Sequence, residues 1–341
     1  MPEAINFFSS SQRVKGSLLG GCWVVSGPAV VQASSDFEVL GYRPDRDVRL
    51  VVPVGRSVIL VGETRPNVTS GQVIECDRKS IDAIYQLKQS LDGSRRIVLV
   101  GPTDSGKSTL ASFIYNAGLV NFVASVDVGQ NEVYCPGFAA VSSPQRPFVP
   151  GSVAGEPRAC LVGDFTPRGL EAAYLYCAAR LLKGVSDFVV DTDGWVEGGG
   201  LVLKAALAEV LDAAVVAVGL DDEARRALSS YLGDVIFVGR IAPRPKSPSE
   251  RKTNRDRLLA SCLLGARRRV LSYDLLVGRP FTEDVKGLIA SAYGEGWDHF
   301  AVLEKISERS GTVTILTKFM GEVNAIRLGR ARVELQPTEG T

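Results

Sequence analysis

The stretch Arg96-Ile97-Val98-Leu99-Val100-Gly101-Pro102-Thr103-Asp104-Ser105-Gly106-Lys107-Ser108-Thr109 decides the fold. Its first five residues read as a buried strand. From Gly101 to Ser108 the chain fits the P-loop pattern G-x-x-x-x-G-K-[ST], and Leu110-Ala111-Ser112-Phe113-Ile114-Tyr115 beyond Thr109 reads as a helix. Strand, glycine-rich loop and helix in that order are the context the motif requires. The glycines let successive amides turn toward a phosphate chain at the positive end of the helix. Gly101, Pro102, Thr103, Asp104, Ser105, Gly106, Lys107, Ser108 and Thr109 are therefore the expected nucleotide cradle. Lys107 is expected to reach the β- and γ-phosphates, and the Ser108 hydroxyl to ligate Mg²⁺.

Outward from this loop the middle of the chain alternates strands and helices. Strands are predicted at 121–126, 159–162, 188–191, 213–218 and 235–238, and helices at 169–182, 201–211 and 223–232. That pattern predicts a parallel sheet with helices on both faces and ligands beyond the carboxyl ends of the strands. The Pro-, Gly- and Ser-rich stretch 140–158 reads as a loop. Before the alternation, short apolar runs separated by turn signals predict a small β-sandwich or barrel. After Gly265, strands are expected at 267–276, 311–318 and 325–335, with one amphipathic helix near 283–292. The expected class is α/β. A P-loop domain over 76–264, with a lid near 240–258, is flanked by a β-rich domain over 1–75 and a β-rich α+β domain over 265–341.

Composition sets outer bounds. A length of 341 residues suits two or three domains, and a formal net charge of +1 confines any nucleic-acid surface to a local patch. The single histidine, His299, excludes histidine-based metal sites and Ser-His-Asp chemistry. The six cysteines, Cys22, Cys76, Cys135, Cys160, Cys177 and Cys262, form no C-x-x-C pair and read as small buried hydrophobes of a reducing compartment. Neither a leader nor an apolar run of spanning length stands out, so a cytoplasmic protein without a membrane partner is expected.

Three further segments can carry chemistry. Asp127, in Val126-Asp127-Val128-Gly129-Gln130, ends a strand beside the P-loop; it can hold the Mg²⁺ shell, accept a proton from an attacking hydroxyl, or simply cap the turn. Gln130 can orient a nucleophile or bond backbone. Asp191-Thr192-Asp193-Gly194-Trp195 superficially matches the Asp-x-x-Gly switch of GTPases, yet no Asn-Lys-x-Asp element follows to read guanine. Trp195 is either core or a platform for a nucleobase. In the basic, proline-broken stretch 240–257, Arg251 and Arg255 are spaced to share one helix face. They can close on phosphate or remain solvated.

Together these residues resemble the polynucleotide 5′-hydroxyl kinase family, which includes the kinase subunit of the pre-mRNA cleavage machinery and archaeal RNA kinases. The family's Gly-Pro-x-Asp-x-Gly-Lys-Ser/Thr-Thr loop matches Gly101–Thr109. Its Asp-x-Gly-Gln element matches Asp127, Gly129 and Gln130, with the following Pro-Gly at Pro136-Gly137. Its Thr-x-Gly-Trp clasp matches Thr192, Gly194 and Trp195, and its lid arginines align with Arg251 and Arg255, and less closely with Arg244. Gly163-x-x-x-Pro167-Arg168-Gly169 also resembles a family loop, and the N-terminal Val25–Ala29 looks like the family's small β-domain. The resemblance implies ATP- and Mg²⁺-dependent phosphorylation of RNA 5′-hydroxyl ends, with DNA as a second acceptor and RNA-processing proteins as partners. In that scheme Lys107 and Ser108 serve the nucleotide and metal, and Asp127 is general base and metal ligand. Arg251 and Arg255 complete catalysis, while Gln130, Thr192, Gly194 and Trp195 receive the RNA. Asp191 stands where the family usually has Asn, Ser125 where a second carboxylate can occur, and Pro243, Pro245 and Pro248 interrupt the lid. Members that bind ATP without catalysis leave an assembly scaffold as the alternative, with a nucleotide-switch GTPase as a third reading.

Overall fold

The computed structural model describes residues 20–76, 78–91, 93–151, 155–241, 246–278 and 284–334. Strands β1 (Gly21–Ser26), β2 (Ala29–Ala33), β3 (Glu38–Val39), β4 (Val48–Val52), β5 (Ser57–Gly62) and β6 (Gln72–Glu75) come first. They form a four-stranded sheet in the order β3-β5-β1-β6 and a β2-β4 ribbon, all antiparallel. Alternation decides the packing of β4: Leu50 and Val52 turn into the apolar core that also holds Val31, Val58 and Leu60, while Arg49 and Val51 face solvent.

Helix α1 (Arg78–Ser90) leads into the nucleotide-binding unit: β7 (Arg96–Val100), α2 (Lys107–Asn116), β8 (Val123–Ser125), β9 (Phe138–Ser142), β10 (Arg158–Leu161), α3 (Glu171–Leu182), β11 (Phe188–Asp191), α4 (Gly199–Leu211), β12 (Ala214–Val218), α5 (Asp222–Tyr231) and β13 (Val235–Val238). Its seven strands run in the order β10-β9-β8-β11-β7-β12-β13. The period of two along β7 explains the layers. Ile97 and Leu99 meet Ile84 and Leu87 of α1 and Leu110 and Ile114 of α2 on one face. Val98 and Val100 join the cluster that holds Tyr174 and Leu181 of α3 and Leu207 of α4 on the other. With both faces covered, such strands carry unbroken apolar runs. The sheet is not wholly parallel: β9 runs antiparallel to β8 and β10. Residues 140–142, expected as the start of a loop, belong to that fully buried strand.

Helix α6 (Pro248–Leu263) follows, then β14 (Arg267–Ser272), β15 (Leu276–Val277), β16 (Leu288–Gly294), β17 (Trp297–Ser307), β18 (Thr312–Thr317) and β19 (Ala325–Arg332). These last six strands build a sheet in the order β14-β18-β17-β16-β19-β15. The helix expected near 283–292 is corrected: its described residues lead into β16, which pairs with β17 and β19. Buried on both faces, Leu288–Ala292 lacks the polar alternation that marks a strand in sequence. The amide of Leu161 donates to Asp298 Oδ2 at 2.9 Å and that of Arg330 to Gly163 O at 2.8 Å, fastening this sheet to the central one.

A second correction concerns the cysteines. All six pair, as Cys22–Cys76, Cys135–Cys262 and Cys160–Cys177, with Cα–Cα separations of 5.2, 6.1 and 5.4 Å. Partners 54, 127 and 17 residues apart meet only through the tertiary fold, so local spacing carries no sign of them. Among the described residues no helix is long and apolar enough to cross a membrane.

Candidate active site

The P-loop spans the turn from β7 to α2. Gly106, at φ 104°, is the N-cap of α2 and supplies no side chain to its amides. Those free amides and the helix dipole form an anion cradle. Lys107, buried, folds back on the loop itself: its Nζ donates to the carbonyls of Gly101 at 2.8 Å and Pro102 at 2.9 Å. The cradle is therefore formed while its lysine is held by backbone.

Sheet order brings the other segments alongside. Because β11 lies between β8 and β7, the turn with Asp127, the turn with Asp191–Trp195 and the P-loop are neighbours at one end of the sheet. Ser108 Oγ donates to Asp191 Oδ2 at 2.7 Å, while Asp191 Oδ1 is buried without a partner. Burial pushes the Asp191 carboxyl up to about 7, against the pull of Lys107 and with help from Asp127. Asp127 Oδ1 accepts the amides of Gly129 at 3.0 Å and Gln130 at 2.9 Å. Its carboxyl is nevertheless raised, because loss of water and the nearby Asp193 outweigh Lys107 and the two amides. Ser125 contributes no second carboxylate; its hydroxyl is buried and unpartnered.

The Thr192–Trp195 turn is built tightly. Thr192 Oγ1 donates to Leu99 O at 2.7 Å, locking β11 to β7. A Cβ on Gly194 would sit 2.5 Å from the amide nitrogen of Thr103, so only glycine lets this turn lie against the P-loop. Asp193 accepts the Trp195 amide at 2.9 Å through Oδ1 and the Lys204 ammonium at 2.5 Å through Oδ2. Trp195 packs partly against the core, with the Arg168 guanidinium 5.0 Å over its ring.

Helix α6 begins with a capping box, Ser247 and Glu250 answering each other, and Pro248 fits its first turn. The two arginines part company. Arg251 Nη1 donates to Asp104 Oδ2 and to Lys246 O, both at 2.8 Å. Arg255 lies 4.7 Å over the Phe165 ring. Gln130 Nε2 donates to Arg251 O at 2.9 Å, so its side chain braces the helix backbone. Arg244, Pro243 and Pro245 lie outside the described residues.

Two ion pairs at this site went unread in the sequence. Lys204, the sole charge amid the apolar run 199–208, is fully buried against Asp193. That isolation is the signal that could have found it. Arg56, from the β4–β5 turn, pairs with Glu132 at 2.9 Å, both side chains sealed from solvent. No local pattern marks it.

Comparison with known proteins places this loop and its surroundings beside one family. Residues 101–261 match the family described as mRNA cleavage and polyadenylation factor CLP1 P-loop. A polyribonucleotide 5′-hydroxyl-kinase of Thermococcus kodakarensis is 29% identical over 226 residues, covering 59% of this chain and 64% of the relative. The polyribonucleotide 5′-hydroxyl-kinase Clp1 of Xenopus tropicalis is 30% identical over 170 residues, covering 45% and 38%. The chain thus spans less than two thirds of these relatives' length. The solved structure of a Clp1p–Pcf11p complex superposes with a TM-score of 0.63 at 15% identity, over 92% of this chain and 99% of that one, a likeness of fold. The chain carries a P-loop, and its residues 101–261 are similar to the family described as CLP1 P-loop.

Proposed function

We propose that this chain is a kinase that transfers the γ-phosphate of ATP to the 5′-hydroxyl end of RNA, with DNA as a second acceptor. The observation that supports it best is the juxtaposition across β8, β11 and β7 of a general-base candidate, a tryptophan turn and a P-loop. Phosphoryl transfer asks mainly for positioning and charge neutralisation. The α2 amides cradle the phosphates, and Lys107 exchanges the Gly101 and Pro102 carbonyls for phosphate oxygens. The donor set suits Mg²⁺, with the Ser108 hydroxyl, the half-partnered Asp191 and Asp127 to hold it, and the ion would neutralise phosphate charge there. Asp127, its proton affinity raised, takes the proton of the attacking hydroxyl. Trp195 offers a ring face to the terminal base, and Arg251 moves from Asp104 to the transferring phosphate.

The switch reading of Asp191-x-x-Gly194 is not favoured, since the matched relatives are named as kinases. A partner from RNA processing is part of the proposal, as the superposing Clp1p was solved with Pcf11p. The test is incubation with γ-labelled ATP and paired oligonucleotides bearing 5′-hydroxyl or 5′-phosphate ends. Label on the 5′-hydroxyl oligonucleotide alone, with ATP preferred to GTP, is expected. Tight ATP binding without transfer to any end would overturn the kinase in favour of an ATP-bound scaffold.

A further inference from the structure

A ladder of arginines and aromatic rings leads away from Trp195 across the seam between the central and C-terminal sheets. Its first rung is exposed Arg168, over the Trp195 ring. Arg330 of β19, also exposed, donates to the Arg168 carbonyl and pairs with Asp164 at 2.7 Å. A register shift between β16 and β19 resets the alternation, so Arg327, three residues earlier, also escapes the core while Ile326 and Gly329 are buried. Arg327 lies 4.4 Å over the Tyr293 ring. Arg180 of α3 then sits 5.5 Å from the rings of both Tyr293 and Trp297.

Charge and shape point to one ligand class. Four guanidiniums stand against Asp164, Glu171 and Asp298, and Asp298 is sealed beneath Arg327 at 2% exposure. The strip carries a surplus of one positive charge, and Arg168 and Arg180 on it are met by rings rather than carboxylates. Guanidinium planes interleaved with rings suit a single-stranded backbone, which offers phosphates to the cations and base faces to the planes. From Arg330 to Arg327 the strand advances about 10 Å, more than one base step. We infer that this strip binds the nucleotides that follow the terminal one, so that the protein grips single-stranded RNA well beyond the end it modifies. The inference rests on the proposed acceptor, whose first base lies at Trp195.

The test compares a 5′-hydroxyl dinucleotide with a dodecamer, in the wild type and in Arg180→Gln/Arg330→Gln. In the wild type the dodecamer should have a KM lower by about tenfold or more, the factor one stacked base can supply. The double variant should bring the two KM values together. Its dodecamer binding, followed by fluorescence anisotropy without ATP, should lose about 1.4 from the logarithmic salt slope, about 0.7 per lost phosphate contact. Equal KM values for both lengths in the wild type would overturn the strip, as would an unchanged ratio in the variant. A lowered melting temperature with both KM values raised alike would make the ladder a cement between sheets and overturn it too. If no oligonucleotide is phosphorylated the kinase reading fails by itself, and the anisotropy slopes still decide the strip.

Discussion

Arg251 Nη1 lies 2.8 Å from Oδ2 of Asp104, so an ion pair ties helix α6 to the P-loop. The same oxygen accepts the Lys246 amide at 2.9 Å, making Asp104 the anchor of the whole helix start. Phosphates bound in the cradle would compete for that guanidinium, whereas Arg255 is engaged with Phe165. The two arginines should therefore differ. Arg251→Ala should lower kcat by about 10³-fold or more with little change in the KM for ATP, the loss expected when a cation acts on the transition state. Arg255→Ala should cost far less. Steady-state kinetics on both variants check this, and equal losses would contradict it.

The Lys204–Asp193 pair sets a stability test. Lys204→Met leaves Asp193 buried and unpaired, which should cost about 3–5 kcal/mol, while Lys204→Met with Asp193→Asn should recover much of it. Chemical denaturation of the three proteins measures this. Because Asp193 also holds the Trp195 amide, the single variant should raise the KM for oligonucleotide more than that for ATP. A single variant as stable as wild type would show that the pair contributes nothing.

How much of this was legible in sequence depended on how local the physics is. The P-loop was readable because glycines, lysine and serine act within one turn. Strands 188–191 and 235–238 were readable because apolar runs bounded by turns leave little choice. Leu288–Ala292 was misread because a strand buried on both faces has no period to betray it. Lys204 was passed over because its partner lies eleven residues away across a helix start. The divergence of Arg251 and Arg255 was invisible, since helix spacing places side chains on a face without naming what they meet.

Asp191, Asp127 and Glu132 all hold their protons more tightly in the fold, burial being the leading cause in each. A carboxyl raised on folding adds stability that is complete below its unfolded pKa and lost as pH rises through its folded one. For Asp191 that window runs from the ordinary value near 3.8 to about 7. Thermal melts of nucleotide-free protein in EDTA should therefore show stability falling between about pH 4 and 7, and Asp191→Asn should flatten the slope. A slope of the opposite sign that survives the substitution would refute this.

The disulfides make a chemical prediction. Protein purified without reductant should show no titratable thiol until unfolded and reduced, and reductant should lower its melting temperature. Cys135→Ser with Cys262→Ser, which opens the 127-residue loop joining the Asn131–Tyr134 segment to the end of α6, should cost about 2–4 kcal/mol. Free thiols in the native protein would contradict the pairing.

The central claim is that Asp127 activates a 5′-hydroxyl for attack on ATP held by the P-loop. Single-turnover transfer of label from γ-labelled ATP to a 5′-hydroxyl RNA oligonucleotide, wild type beside Asp127→Asn, tests it most directly. Rapid labelling of the RNA 5′ end by wild type is predicted, with a loss of about 10²–10⁴-fold in the variant while ATP binding persists. Near-equal transfer by the two proteins, or no transfer by wild type with ATP bound, would contradict it.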